Sequence, residues 1–205
     1  MSDLPFDFLG LAGQLKTTFR YGTLLPDRKE SVADHSWRVA LLVFMFGHLL
    51  GTDKERNRAL RMALVHDIAE AVTGDVDYVR VATGEITREE KKALEAEALD
   101  RIGSLLSEGH QEVVLSLNRE YDEGTTDVAR FVKALDRLET LLQLVELGYR
   151  AYDRPEFIAN YADAAVERFP ALLPVLADIK KRLRDEFLKG DIEWKDSYNS
   201  VTEVL

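Results

Sequence analysis

Cysteine is absent from all 205 residues, which excludes both disulfides and thiolate metal sites. Long apolar runs are also missing. The longest, residues 39–50, is interrupted by Gly47 and His48 and is too short to span a bilayer. Basic charge is in deficit, with 27 Lys and Arg against 37 Asp and Glu and a formal net charge of −10. That balance argues against binding nucleic-acid polymers through a broad basic face. A small phosphorylated ligand is still compatible, because a metal ion and one or two arginines can supply positive charge locally. The opening MSDLPFDFLG lacks the basic flank and apolar stretch of a secretory signal. The expected location is therefore cytoplasmic, away from the membrane. Period-two alternation never persists long enough to mark a strand.

Apolar residues instead recur at spacings of three and four. This spacing predicts helices at about 4–17, 32–50, 53–72, 88–106, 108–121, 126–149, 155–169 and 170–188. Ser31 precedes Asp34, Thr52 precedes Glu55 and Thr87 precedes Glu90, each with capping-box spacing. Gly51, Gly74 and Gly124 stand where helices should stop, and Pro155 and Pro170 fit first-turn positions. With 46% hydrophobic and 31% charged residues and no repeat or convincing linker, the chain reads as one all-α domain over 1–205. Its core would lie at about 15–150, with C-terminal helices and a tail at 155–205.

The chemistry concentrates in LVHDIAEAVTGD, residues 64–75. His66 and Asp67 sit in an apolar helical run, and Glu70 follows three residues after Asp67. Burying such groups among Leu64, Val65, Ile68 and Val72 costs free energy unless something compensates them. A divalent ion would, since imidazole and carboxylate together suit Mn, Fe, Co, Ni or Zn. The alternative is a helix end with an internal His–Asp hydrogen bond. Only four histidines are available. His35, in SVADHSWRVALL, can supply a further ligand or simply pack. Asp136, in FVKALDRLETLLQLVEL, can face inward or form an exposed pair with Lys133 or Arg137. His48 reads as a core or helix-end residue and His110 as a surface one.

In order, His35, His66-Asp67 and Asp136 spell H…HD…D across three helices. The chain thereby resembles the HD-domain metal-dependent phosphohydrolases, an all-α family. More narrowly, it is similar to the HD-domain 5'-deoxynucleotidases of the bacterial YfbR type and their eukaryotic counterparts. The shared phrases are ESVADH (30–35), ALVHDIAEAVTGD (63–75) and FVKALDRLETLLQ (131–143). The resemblance implies a helical bundle of about six to eight helices, with His35, His66, Asp67 and Asp136 as metal ligands. It implies Glu70 and Asp75 as catalytic carboxylates and Arg20 as a phosphate-contacting arginine paired with an aromatic residue, here Tyr21 where bacterial members have tryptophan. The implied cofactor is a divalent ion (Co, Mn, Zn, Fe, Ni or Mg), the implied substrate a nucleoside monophosphate, and the implied assembly a homodimer.

Coordination to such an ion would lower the pKa of water toward neutrality. Glu70 would then orient that water or take its proton; alternatively it holds His66 in one tautomer. Asp75 would protonate the leaving alkoxide, bind a sugar hydroxyl or hold a second ion. Two other readings compete: hydrolysis of another phosphate ester (a cyclic nucleotide, a guanosine polyphosphate or a dNTP), and a non-catalytic helical protein with a structural metal.

Overall fold

The computed structural model describes residues 4–20, 29–76, 80–81, 83–152, 154–199 and 201–202. Among them the regular structure is helical, apart from one isolated antiparallel bridge between Phe19 and Ser31. The α-helices are α1 (Phe6–Ala12), α2 (Val32–Phe46), α3 (Asp53–Val65), α4 (Glu70–Thr73), α5 (Arg88–Ser104), α6 (Glu108–Glu123), α7 (Asp127–Leu147), α8 (Asp163–Glu167) and α9 (Leu173–Lys189). The all-α expectation holds.

The three capping boxes form as their spacing predicts. Ser31, Thr52 and Thr87 each accept from the backbone N–H three residues on, and Asp34, Glu55 and Glu90 reach back to the cap. Each such cap stabilises its helix by ~1 kcal/mol. Gly124 ends α6 in the left-handed conformation (φ 58°, ψ 31°), where a Cβ would be strained. Gly51 differs from expectation: it has no positive φ, because a 3₁₀ turn at Gly47–Leu49 closes α2 and Leu50 leaves it extended.

Two predicted helices are broken. The 53–72 helix stops at Val65, and residues 66–69 turn more tightly, with N–H groups of Ile68, Glu70 and Ala71 bonding three residues back at 3.1, 3.0 and 3.2 Å. His66 and Asp67 meet His35 of α2, and His66 packs on Tyr121 of α6 at 5.2 Å between ring centroids, contacts that override local helix propensity here. The 155–169 segment holds only a 3₁₀ turn at Pro155–Phe157 and the short α8. Helices this short are marginal alone, and Ile158, Ala159, Ala162 and Val166 are instead buried by docking on the core.

α7 is the hub. Twelve of its 21 residues are buried, more than one face can supply, so neighbours enclose it. α2, α3, α6, α8 and α9 all pack against it. One core cluster joins Val39, Met62, Phe131, Leu135, Leu138, Leu176 and Phe187; a smaller one gathers Leu15, Val32, Ile68, Ile102 and Val114. A fully buried Leu or Phe contributes ~1.5–3 kcal/mol. The tail covers this core: Trp194 packs edge-on to Phe187 at 5.2 Å and to Tyr198 at 5.3 Å. No helix among the described residues is long and apolar enough to cross a membrane.

Candidate active site

The bundle brings three segments together at one end of α3. α2 carries His35 and α7 carries Asp136, while the tight turn after α3 presents His66 and Asp67. His35 Nε2 lies 3.2 Å from Asp136 Oδ1 and 3.6 Å from Asp67 Oδ2; His66 Nε2 lies 3.2 Å from the same Asp67 oxygen. The imidazole centroids are 5.4 Å apart. The four residues singled out in the sequence thus meet, although 101 positions separate the first from the last.

Both Nε2 atoms are buried without a hydrogen-bond partner; the short approach of His35 to Asp136 is not aligned as a hydrogen bond. Their other nitrogens are engaged. His66 Nδ1 is 2.9 Å from the Ala63 carbonyl, which can only accept, so the proton belongs on Nδ1 and the lone pair on Nε2. His35 Nδ1 meets the Glu139 carboxylate in a close contact. Tyr121 donates its hydroxyl to Asp136 Oδ2 at 2.7 Å. His35, His66 and Asp136 present donor atoms within 4.8 Å of one another, and Asp67 Oδ2 stands beside both imidazole nitrogens; such a set suits a borderline divalent ion, and the residues present fit one.

Electrostatics point the same way. Burial and Arg20 push the His35 imidazole down, but the close carboxylates of Asp136 and Glu139 outweigh them and raise it to about 9. Asp67 and Asp136 fall below the usual carboxylate range. Burial opposes this, and the attraction of neighbouring groups prevails: the His66 imidazole then His35 for Asp67, Arg137 then His35 for Asp136. An environment that draws protons onto imidazole attracts a dication for the same reason.

Glu70 opens α4 three residues after Asp67, its N–H bonded to the Asp67 carbonyl at 3.0 Å. Burial, then the charges of Asp67 and Asp75, push Glu70 up to about 10, with Arg20 and Lys91 pulling down. Glu70 Oε2 is buried with no hydrogen-bond partner. Asp75 follows Gly74, whose φ of 72° turns the chain out of α4.

These groups line a cleft of about 930 Å³ that also includes Arg20, Tyr121 and Tyr161. The chain is acidic, but the cleft is not: Arg88, Lys91, Lys92, Lys133, Arg137 and Arg154 join Arg20 on its walls. Arg20 Nη1 lies 3.3 Å from Glu30 and 3.5 Å from Glu139, and Nη2 donates to Thr140 at 3.1 Å. Tyr21 lies outside the described residues. His48 and His110 are exposed, bonded locally to the Met45 carbonyl and Ser107.

Glu139, Tyr121 and Glu30 were not anticipated from sequence as site residues. Glu139 carried a signal, standing three residues after Asp136 on the same face of α7. Tyr121 carried none, since its contact depends on how α6 packs.

The HD-domain family model matches residues 12–168. The chain belongs to the HD-domain family. This HD domain is 33% identical over 179 residues to the 5'-deoxynucleotidase HDDC2 of Bos taurus, covering 84% of this chain and 82% of that protein. It is 36% identical over 167 residues to the HDDC2 5'-deoxynucleotidase of Xenopus laevis, covering 79% and 78%. The crystal structure of a predicted metal-dependent phosphohydrolase from Magnetospirillum magnetotacticum MS-1 aligns with a TM-score of 0.74 at 28% identity, covering 92% of this chain and 94% of that one.

Proposed function

We propose that this protein is a divalent-metal-dependent 5'-deoxynucleotidase that releases phosphate from deoxyribonucleoside 5'-monophosphates. The observation that carries the reading is the pair of buried, unpartnered Nε2 atoms of His35 and His66 beside Asp67 and Asp136, with His66, Asp67 and Asp136 opening on a cleft that arginines, lysines and carboxylates line. Relatives of similar length named 5'-deoxynucleotidases support the substrate class.

In this reading His35, His66, Asp67 and Asp136 hold the ion. Among Co, Mn, Zn, Fe, Ni and Mg, two imidazoles favour the transition metals and zinc over Mg, which prefers oxygen. Such an ion supplies, when bound, Lewis-acid charge to a phosphoryl oxygen and acidifies water. Glu70, whose Oε2 is buried without a partner, orients the attacking water, and would take its proton once a cation beside Asp67 has drawn the Glu70 carboxyl down from about 10 into its ionised form. Asp75 serves the departing sugar, as proton donor or as partner of its hydroxyl. Arg20 faces the phosphoryl oxygens, with Tyr21 beside the nucleoside.

We read residues 1–205 as one HD domain acting in the cytoplasm as a homodimer. Exposed Trp37, Leu41, Phe44 and Met45 recur at helical spacing on α2, which favours that helix over the C-terminal ones as the contact. A monomer in sedimentation velocity would remove the dimer from the reading. The decisive assay is elemental analysis followed by phosphate release from a panel of ribo- and deoxyribonucleoside monophosphates, cyclic nucleotides, guanosine polyphosphates and dNTPs. Preferential release from deoxyribonucleoside monophosphates is expected. Stoichiometric metal with no turnover of any of them would leave only the structural-metal reading.

A further inference from the structure

Arg137 directly follows Asp136 on α7, and its half-buried side chain lines the cleft together with His66, Asp67 and Glu70. Its guanidinium carbon lies 4.7 Å from the centroid of the Tyr161 ring, and Nη1 donates to the Tyr161 hydroxyl. Nε stands 3.7 Å from Asp136 Oδ2. Among the described residues Nη2 has no hydrogen-bond partner, so its two N–H donors are uncommitted in the cleft. A guanidinium placed this way can orient Asp136 or bind a ligand. Orientation is already supplied, because Tyr121 donates to the same Oδ2 at 2.7 Å. The remaining capacity of Arg137 is for a planar oxyanion approaching His35, His66, Asp67 and Asp136 from the cleft. Arg20 directs bonds to Glu30, Glu139 and Thr140, so a phosphate dianion would gain from a second guanidinium.

We propose that Arg137, steadied by Tyr161, is a substrate-binding residue that contacts the phosphate group of the nucleotide. The proposal rests on the nucleotidase reading for the identity of the ligand, whereas its test reads phosphate affinity.

The test compares wild type with Arg137→Met, which keeps the aliphatic stem, and Arg137→Lys, which restores charge without the fork. Inorganic phosphate and thymidine are used separately as inhibitors of thymidine monophosphate hydrolysis. Losing a charge-assisted phosphate contact should raise the inhibition constant for phosphate, and KM, by roughly 10- to 100-fold in Arg137→Met. Lys should restore part of this, thymidine inhibition should stay within about twofold, and cobalt affinity should be unchanged. Equal losses for phosphate and thymidine, or a loss of cobalt affinity with phosphate affinity intact, would overturn the proposal. Should Arg137→Met fail to fold, Tyr161→Phe should still raise the phosphate constant, by less; an unchanged constant there counts against the pair. If wild type hydrolyses no mononucleotide the nucleotidase reading falls, and calorimetry of phosphate binding to cobalt-loaded wild type and variants still decides the role of Arg137.

Discussion

Two places in this bundle bury charge, and they resolve it in opposite ways. Between α8 and α9, the nearly inaccessible Lys180 donates to Asp163 Oδ2 at 2.7 Å and to the Tyr198 carbonyl. One cation meets one anion and a backbone oxygen takes another ammonium hydrogen, so the charges balance within the chain although Asp163 Oδ1 is left without a hydrogen-bond partner. Around His35, by contrast, Asp67, Asp136 and Glu139 crowd two imidazoles whose Nε2 atoms have no hydrogen-bond partner. A buried charge compensated within the chain fastens elements together. A buried set with excess negative charge and oriented lone pairs is addressed to something from outside. The second arrangement costs stability, which is acceptable where function requires it.

The comparison breaks most sharply at Glu70. If its carboxylate handles a proton, Glu70→Ala should lower turnover by roughly 10²- to 10⁴-fold. Metal stoichiometry by elemental analysis should stay at the wild-type value, and the variant should melt no lower, because it sheds a buried carboxyl with an unpartnered oxygen. Loss of metal together with turnover would make Glu70 a support for His66 and place it on the structural side of the comparison.

Lys180→Met tests that structural side. Removing one partner of a buried pair strands the other, so the variant should lose about 3–5 kcal/mol of stability in denaturant titration. Cobalt affinity of the folded fraction should not move, since among the described residues the Lys180 ammonium bonds only to Asp163 and the Tyr198 carbonyl. A fall in cobalt affinity equal to that of a ligand variant would show the two regions to be one cooperative unit.

How much of this was readable in advance follows from range. The caps at Ser31, Thr52 and Thr87 were legible because both partners lie three residues apart. His35, His66, Asp67 and Asp136 were legible as an ordered set of residue types in matching phrases, and the structure brings them together. Glu139 looked like an ordinary polar residue on an apolar helix, because the imidazole it meets lies 104 positions away. The tight turn at 66–69 was hidden as well: its residues suit a helix, and only the contacts of His66 and Asp67 with His35 of α2 and Tyr121 of α6 select otherwise. Asp136 escaped the common fate of a mid-helix aspartate, an exposed pair with Lys133, because α7 is enclosed at that point.

Glu139 stands where the two kinds of burial meet. It touches His35 Nδ1 and is also ion-paired with Arg38 Nε at 3.1 Å and Arg20 Nη1 at 3.5 Å, so one carboxylate both closes a charge cluster and orients a candidate ligand. Glu139→Gln keeps an acceptor for Nδ1 and removes the charge, and should weaken cobalt binding by roughly 10- to 100-fold. The same change has a pH signature. In protein stripped with a chelator, the folded-state pKa of His35, about 9, lies above its ordinary 6.5. The proton it holds therefore stabilises the fold fully below pH 6.5 and is lost as pH rises through 9. Glu30, raised from 4.5 to about 7 chiefly by burial and then by Glu139, adds a loss of the same sign as pH rises from 4.5 through 7. The stripped wild type should accordingly melt at progressively lower temperature between pH 5 and 9, and saturating cobalt should flatten the slope by displacing the His35 proton. Without the Glu139 charge both pKa values move back toward their ordinary range, so Glu139→Gln should show a shallower slope and release fewer protons on cobalt binding, read by calorimetry in buffers of different ionisation enthalpy. An unchanged slope with unchanged cobalt affinity would mean that Glu139 serves only Arg20 and Arg38, and that His35 is oriented by α2 alone.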